Sequence, residues 1–468
     1  MRRHEKTRRR IDGAPGRLFR GLRTGRGRHA LVVMVVAGAG SAVLAGTGER
    51  ALGGLVGLAA AAGALSYASP ILPGPLVALA LPLDRTTDLL GVHVWALHAV
   101  IGGAAAGYLA HLASTRRVAP LRVEHWLYAL FVGCLATSML GPGDDFARIR
   151  ALVAFGALGP VFHSVTTRLT ERHARSTLLA SLALAMVVEV GFTLYQYLDA
   201  FSERFDVRGG AAVYPVPRGT LPHSNVLGQF LVIGGLTVVA LAFAERGTLR
   251  RAALAVAGLT SLALVVTFVR GSWIALACGV AVYAVDRTLR RRVALLSLLA
   301  VVAAVLLGVL GEGAIAARIS TLWNGGAGLT TFRLELAGSA ARTVAEHPLT
   351  GTGVFREVGV YAGQPDLATH PHNLFLGLAV FFGIPAAIAF ALLVARAFAT
   401  AWRARTAAPV PSRTAVGMLG ALTAFLVNGL FEYPFWSLQL TALIVLVLGC
   451  ALALGGDRPP RRRLHSPG

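Results

Sequence analysis

Long apolar runs separated by short polar segments make up most of this chain. They are continuous rather than alternating, so they indicate membrane-spanning helices and not barrel strands, and most approach the roughly 17–25 residues that a helix needs to cross a bilayer. The predicted spans are 30–47, 51–68, 71–83, 91–113, 123–140, 147–165, 177–199, 223–244, 251–269, 271–286, 293–311, 373–398, 413–431 and 436–455. The run at 71–83 is short and bounded by prolines, and it can instead form a re-entrant pair with 51–68. The sequence therefore predicts an all-α, polytopic transmembrane helical bundle of about 12–14 spans.

Arginines divide the segments between these runs into two alternating sets. The arginine-rich segments are 114–122, 166–176, 245–250, 287–292, 399–412 and the C-terminal tail. The weakly charged or acidic segments are 84–90, 141–146, 200–222, 312–372 and 432–435. Cytoplasmic loops carry the excess of arginine. The protein is therefore predicted to lie in the cell membrane with both termini in the cytoplasm.

Five regions follow from this topology. They are a basic cytoplasmic N-terminal tail (1–29), a first part of the transmembrane bundle (30–311), a large extracytoplasmic loop (312–372), the last three spans (373–455) and a basic cytoplasmic C-terminal tail (456–468). Within the large loop, Thr331 to Glu346 has a helical pattern. We expect an amphipathic helix that lies along the membrane surface and covers a cavity, with its apolar face formed by Leu334, Ala337, Ala341 and Val344.

Composition supports a membrane protein and argues against a nucleic-acid partner. The chain is 55% hydrophobic and 14% charged, more apolar than a soluble domain of this size can conceal. A net charge of +22 would suggest nucleic acid in a soluble protein. Here the arginines fall in the loops and tails that topology requires to be basic, so the predicted partner is the lipid bilayer.

The strongest candidate for chemistry is the end of the large loop, His370-Pro371-His372-Asn373. A histidine at a membrane interface can take or give a proton near neutral pH, so His372 is a candidate general base, with His370 and Asn373 as possible substrate contacts. One alternative is an interfacial histidine that caps a helix. Another is a metal site built from His370, His372 and His347, but no carboxylate or cysteine set completes it in the sequence, and we expect no metal.

Two arginines have the chemistry for binding phosphate. Arg270 lies between two apolar runs, where a charge usually faces a cavity or a partner; the alternative is an arginine that reaches the lipid headgroups. Arg333 lies in the predicted loop helix, and its guanidinium offers paired donors matched to phosphate; the alternative is a solvated loop charge.

Weaker candidates precede the span at 223–244 and lie within the span at 177–199. Arg218, His223 and Asn225 fall on the predicted outer side and can contact substrate, whereas helix capping by Ser224 or Asn225 is the structural alternative. Glu189 is an acid in the middle of a span. It is either a proton relay in a transporter or a structural partner of a polar group.

These motifs together resemble the O-antigen ligase superfamily, which includes bacterial O-antigen polymerases and protein O-oligosaccharyltransferases. The ligase-type pattern of His, then Asn, Ser or Gln, nine residues and Gly is matched by His372-Asn373, Leu374 to Phe382 and Gly383. Members often have Gly, Thr or Tyr three residues further on, where this chain has Ala386. Further matching segments are Arg218-Gly219 with Asn225, Arg270-Gly271, and Arg333 followed by the segment from His347 to Gly353. The resemblance covers mainly residues 215–435.

The resemblance implies a membrane glycosyltransferase with an extracytoplasmic site and no cofactor. Its donor would be a glycan on a polyprenyl diphosphate, and its acceptor an envelope glycan, lipid or protein. Carried over by position, His372 is the base, and Arg270 and Arg333 bind the diphosphate. A polymerase of lipid-linked repeat units is a close alternative. A transporter relying on Glu189 is a more distant one, since no clear internal repeat is present, and a non-catalytic scaffold leaves the arginines and histidines unexplained.

Overall fold

The computed structural model describes residues 50–83, 86–89, 92–117, 119–143, 145–199, 217–286, 289–291, 327–355, 357–361, 364–368, 370–406 and 409–457. The predicted spans 30–47 and 293–311 lie outside the described residues, as do the N-terminal tail and residues 458–468. The described part of the chain is an all-α helical bundle with two short antiparallel hairpins, which confirms the predicted fold class.

Helices make up most of the described residues. They are α1 (Arg50–Ala68), α2 (Pro73–Ala80), α3 (Ala96–Thr115), α4 (Val123–Thr137), α5 (Asp145–Arg168), α6 (Arg172–Asp199), α7 (Ser224–Ala242), α8 (Gly247–Val266), α9 (Arg270–Ala281), α10 (Ala327–Glu346), α11 (Leu374–Phe382), α12 (Ile384–Ala404), α13 (Pro409–Gly429) and α14 (Leu438–Ala453). The hairpins are β1 (Thr86–Leu89) with β2 (Val92–Trp95), and β3 (Glu357–Tyr361) with β4 (Gln364–Ala368). Single 3-10 turns cover Ser138–Leu140, Val282–Val285, Pro434–Trp436 and Leu454–Asp457.

Helix length and composition show a multi-pass membrane protein. Among the described residues, 7 helices are long and apolar enough to cross a membrane: α3, α4 with its 3-10 turn, α5, α6, α7, α8 and α12. Shorter apolar helices cover Leu52–Ala68, Arg270–Val285 and Leu438–Ala453.

Two predicted spans differ from the structure. The run at 71–83 forms only α2, an 8-residue helix. At about 1.5 Å per residue it is too short to cross a membrane. Most of its residues are buried, it packs against α3 and α6, and Pro73 and Pro75 lie in its first turn. The run at 373–398 is not one helix, because it breaks at Gly383 into α11 and α12.

The centre of the bundle is formed by the helices that are apolar all round. Every residue of α14 is buried, and so is nearly all of α7, as expected for helices with no polar face. Helix α13 packs against α7 and α9, whereas α14 packs against α5. The turn between α13 and α14 therefore joins two sides of the bundle, and this turn positions the candidate site.

The helix expected in the large loop is present, but its buried face differs from the prediction. Helix α10 packs against α11 and β3 through Leu336 and Ala340, while Leu334, predicted to face the apolar side, is 67% exposed. Leu336 and Ala340 are four residues apart and form one stripe of the helix. Of the residues predicted for the apolar face, Val344 is partly buried against the core, whereas Ala341 is exposed.

Candidate active site

Turns predicted to lie on the outer side of the membrane meet at one end of the bundle. Arg148, near the start of α5, is fully buried and donates to the carbonyl oxygens of Gly141 (2.9 Å), Pro142 (2.9 Å) and Gly351 (2.8 Å). These hydrogen bonds connect the α4–α5 turn to the large loop. Arg148 is a structural residue, because its guanidinium is occupied by backbone carbonyls.

The turn after α13 presents a buried carboxylate at this end. The backbone N–H groups of Phe431 and Glu432 donate to the carbonyl oxygen of Asn428, at 2.9 and 3.0 Å, which closes the last turn of α13. Ser437 then caps α14 by accepting from the N–H of Leu440 at 3.3 Å. Glu432 lies between these two fixed ends, so its side chain is held in place by the helices that flank it.

Two histidines and this glutamate form a compact group, which we call the histidine–glutamate cluster (His370, His372 and Glu432). His372 Nδ1 lies 3.1 and 3.2 Å from the two carboxylate oxygens of Glu432. His370 Nε2 bonds Glu432 Oε1, and the centroids of the two imidazole rings are 4.3 Å apart. Asn225, at the start of α7, donates to Glu432 Oε2 at 3.0 Å. The carboxylate therefore joins α7, the end of the large loop and the α13–α14 turn.

The protonation of Glu432 is set by its neighbours. Burial alone would raise the pKa of this carboxyl group, but hydrogen bonds from His370 and His372, together with the charge these rings can carry, outweigh it. The pKa of Glu432 is therefore well below its ordinary value, and the group is a carboxylate at neutral pH. A carboxylate only accepts hydrogen bonds, so a neutral His372 carries its proton on Nδ1 and leaves Nε2 free to act as a base.

His372 and Asn373 have distinct structural roles. His372 has a positive φ of 48°, a left-handed conformation that is uncommon for a residue other than glycine. Asn373 caps α11, because its side-chain oxygen accepts from the N–H of Leu376 at 3.0 Å. The asparagine of the ligase-type pattern thus starts the helix and holds the preceding histidine towards Glu432.

The glycine of the same pattern allows a backbone-to-backbone contact. Gly383 has φ +87°, and a Cβ added there would lie 2.2 Å from the carbonyl oxygen of Leu349. The same turn of the large loop is bonded to the helix break, with Thr352 N to Val380 O at 2.8 Å and Ile384 N to Pro348 O at 2.8 Å. The separate sequence segments 347–353 and 372–383 therefore form one structural unit, which fixes the end of α11 and the start of α12.

Replacing Gly383 with alanine is expected to destabilise the protein by about 1–3 kcal/mol, because the new Cβ meets Leu349 O and the backbone stays left-handed. Thermal unfolding in detergent, followed by circular dichroism, measures the effect. Gly338→Ala in α10 is the matched control, since Gly338 has no neighbour within 4 Å of an added Cβ. It should leave stability unchanged or raise it by about 0.5–1 kcal/mol. Equal effects of the two substitutions would contradict the role assigned to Gly383.

Arg270 lies at a helix start that packs against the end of α13. It is the first residue of α9 and is partly buried. The next residue, Gly271, packs against Phe431, where an added Cβ would lie 3.3 Å from the Phe431 Cβ. Ser272 donates to the side-chain oxygen of Asn428 at 3.1 Å. These contacts fix the start of α9 beside the α13–α14 turn, on the side of the cluster where α7 and α9 lie.

Arg333 is placed on α10 with an exposed side chain. Within the described part of the chain it makes no hydrogen bond or ion pair with the cluster. Its helix packs against α11, the helix that follows His372. The structure therefore places Arg333 on an element next to the cluster rather than in contact with it.

Of the remaining predicted candidates, Asn225 belongs to the site, whereas His223 and Arg218 lie in the turn before α7. Asn225 contacts Glu432 directly. His223 is the N-cap of α7, and its Nδ1 accepts from the N–H of Asn225 at 3.1 Å, so the capping alternative holds but the capping residue is His223 rather than Ser224 or Asn225. Arg218 has an exposed side chain, and its backbone N–H donates to Gln196 at 3.0 Å.

Glu189 anchors this same turn. The backbone N–H of Thr220 donates to Glu189 Oε2 at 3.1 Å, and the Thr220 hydroxyl donates to Oε1. The carboxylate thus holds the segment before α7 onto α6. The contacts fit the structural role considered for Glu189.

The histidine–glutamate cluster also has the composition of a metal site. His370, His372 and Glu432 each offer one ligand atom, and these atoms lie within 4.8 Å of one another. Two imidazoles and a carboxylate are a common ligand set for zinc. The cluster differs from the metal alternative drawn from sequence, because Glu432 supplies the carboxylate missing there and His347 is not among the three residues.

Glu432 is the central residue that the sequence interpretation missed. It follows His372 by 60 residues, and no spacing rule connects them. The available indication was its position: it is an acid in the short predicted outer loop between the last two spans, in a chain with only 22 acidic residues. An acid that faces the same side as a candidate base is a reasonable partner for it.

Part of the chain matches a known family. A family model described as O-Antigen ligase matches residues 252–391, a region that includes Arg270, Arg333, His372 and Gly383. No match is found among curated proteins. The family match supports membership of the O-antigen ligase superfamily, in agreement with the motif.

Proposed function

From the support for membership of the O-antigen ligase superfamily, we propose that this protein is a membrane glycosyltransferase that moves a glycan from a polyprenyl diphosphate to an acceptor hydroxyl at the outer face of the membrane. The observation that carries the proposal is the contact between His372 and the Glu432 carboxylate at the end of the bundle where Arg270 lies. The acceptor is an envelope glycan, lipid or protein. The reaction needs no cofactor and no metal.

His372 is the general base in the proposed reaction. The acceptor O–H gives its proton to Nε2 of His372 as its oxygen bonds to the anomeric carbon of the donor sugar. The bond from that carbon to the diphosphate breaks, and the diphosphate leaves with the bonding electron pair. Glu432 orients the ring through Nδ1 and stabilises the imidazolium that forms, as orienting carboxylates do for other histidine bases.

Arg270 and Arg333 bind the diphosphate and stabilise the charge that develops on it. Guanidinium groups offer paired donors to phosphate oxygens. In a site sheltered from water, such preorganised donors stabilise a transition state more than they do in solution. The start of α9 is held rigidly by Ser272 and Gly271, which preorganises Arg270. Helix α10 carries Arg333 and packs against α11, the helix that follows His372, so we propose that Arg333 closes onto the donor when it binds.

Changing either Arg270 or Arg333 to glutamine is expected to lower turnover by about 10²–10³-fold and to weaken donor binding, since each removes one charged donor. Turnover and donor affinity are measured separately, with labelled polyprenyl diphosphate for binding. Arg342→Gln is the control, because Arg342 is exposed on the same helix as Arg333. If Arg333→Gln behaved like this control, Arg333 would be a solvated helix charge.

The function is tested by following donor consumption. Purified wild-type protein receives a polyprenyl-diphosphate glycan and an envelope extract as acceptor, with EDTA present. Consumption supports a metal-free transferase, and product size separates transfer of a finished glycan from polymerisation of repeat units. Activity that EDTA removes and zinc restores would instead show a metal at the histidine–glutamate cluster. No consumption by folded protein with both substrates would overturn the enzyme proposal, and transport would be assayed next.

A further inference from the structure

Arg150 lines an apolar cleft beside the histidine–glutamate cluster. The cleft has a volume of about 660 Å³ and lies between α5, α11 and the α13–α14 turn. Aromatic side chains form much of its wall, among them Phe146, Phe155, Phe381, Phe382 and Trp436. Arg150 is the charged residue among those that line it.

Arg150 differs from its neighbour Arg148 in what it binds. Arg148 is occupied by three backbone carbonyls and pairs with Asp145. The guanidinium carbon of Arg150 lies 5.4 Å from the centroid of the Trp436 ring, and no carboxylate in the described part of the chain pairs with it. A partly buried charge among apolar side chains near a membrane is costly unless it has a function, and its natural partner is an anion.

The cleft lies beside the histidine–glutamate cluster, and Arg270 is not among the residues that line it. Tyr433, the residue after Glu432, lines the cleft, and the centroid of the Trp436 ring lies 5.8 Å from that of His370. Gly271, next to Arg270, instead packs against Phe431, the residue before Glu432. An enzyme that joins two molecules must hold both of them near its base, and Arg150 is a cation that the donor site does not use.

We propose that this cleft binds a second amphiphile, with its phosphate on Arg150 and its hydrocarbon among the aromatic side chains. The ligand is a lipid that carries a phosphate, and its site is separate from the Arg270 side. Within the proposed transfer, on which this role rests, the amphiphile is the acceptor. The acceptor is then anchored in the membrane by its own lipid, and a soluble or protein acceptor would leave the cleft unused.

Photo-crosslinking tests the site without requiring catalysis. Full-length protein in detergent is irradiated with phosphatidic acid that carries a diazirine in one acyl chain, and the labelled peptides are mapped. Phosphatidylcholine with the same chains is the headgroup control. We expect phosphatidic acid to label the first turns of α5 and the α13–α14 turn, at least about tenfold more strongly than phosphatidylcholine at equal concentration, as a charge-assisted contact implies.

Three variants make this result specific. Arg150→Gln should remove the headgroup preference, and Arg117→Gln, which changes an exposed loop arginine, should preserve it. Val153→Trp places bulk in the cleft from a position that is 58% exposed, so it should reduce labelling while leaving Arg150 and the core intact. Circular dichroism and gel filtration establish that each variant is folded. If Arg150→Gln misfolds, Val153→Trp decides the test.

Two results would overturn the proposal. Equal labelling of the cleft by both phospholipids would mean that it only accommodates hydrocarbon. Competition by unlabelled polyprenyl diphosphate that depends on Arg150 and not on Arg270 would assign the cleft to the donor. The outcome is independent of the transfer assay. Labelling that follows the prediction in a protein that consumes no donor would retain the lipid site and remove only its role as acceptor site.

Discussion

Replacing His372 with alanine is expected to lower glycan transfer by about 10²–10⁴-fold, the contribution of a positioned general base. The reason is geometric: Glu432 holds Nδ1 of His372, and Nε2 is the nitrogen left to accept the acceptor proton. Donor binding should change little, because the diphosphate is bound by arginines on other elements. Turnover with saturating donor, compared with donor affinity measured separately, distinguishes these effects.

The matched control for this substitution is His347→Ala. His347 lies in the same large loop, but it is outside the histidine–glutamate cluster. It should retain most of the wild-type turnover. If the turnover of folded His372→Ala stayed within threefold of the wild-type turnover, His372 would be only a histidine at the start of a helix. The base would then be another residue at this end of the bundle. If both histidine variants lost activity equally, the loss would report a disturbed loop.

The general architecture follows from physics that acts locally along the chain. A helix that spans lipid must bond its own backbone, so a long apolar run predicts a helix whatever its neighbours are. Most of the predicted spans in the described region accordingly appear as helices. The pattern of His372, Asn373 and Gly383 also marked a real structural unit, since it contains a helix cap and a helix break fixed by the turn at Leu349.

Features that depend on tertiary contacts were not predictable in the same way. The break at Gly383 is set by the large-loop turn that packs against it, and an apolar run alone does not show it. The buried face of α10 is set by its packing on α11, which favoured Leu336 and Ala340 over Leu334. Glu432 joins His372 only when α13 and α14 are in place. These are contacts between segments that are distant in sequence, so the local periodicity of apolar residues does not predict them.

Glu432→Gln is expected to lower turnover by about 10²–10⁴-fold although the side chain keeps its size, because the orienting carboxylate is lost. An amide neither fixes the tautomer of His372 nor stabilises the imidazolium that forms during transfer. Turnover of Glu432→Gln and of the wild type, measured with saturating donor and acceptor, tests this effect.

Stability should respond to Glu432 in a defined direction. The pKa of this carboxyl group is lowered in the folded protein, so its contribution is present above the ordinary glutamate pKa and is lost as pH falls through the lowered value. At neutral pH the wild type has the full contribution, and Glu432→Gln lacks it. The thermal midpoints of the two proteins should therefore differ at pH 7 and converge in strong acid.

A control at Asn225 separates catalysis from packing around Glu432. Asn225→Ala removes the 3.0 Å hydrogen bond to Glu432 Oε2 and leaves the carboxylate and both histidines in place. It should lower turnover by only about tenfold, the usual contribution of one such bond. If Asn225→Ala and Glu432→Gln lowered turnover equally, the carboxylate would act by holding the helices together. A much larger loss of turnover in Glu432→Gln would show that the carboxylate acts on His372.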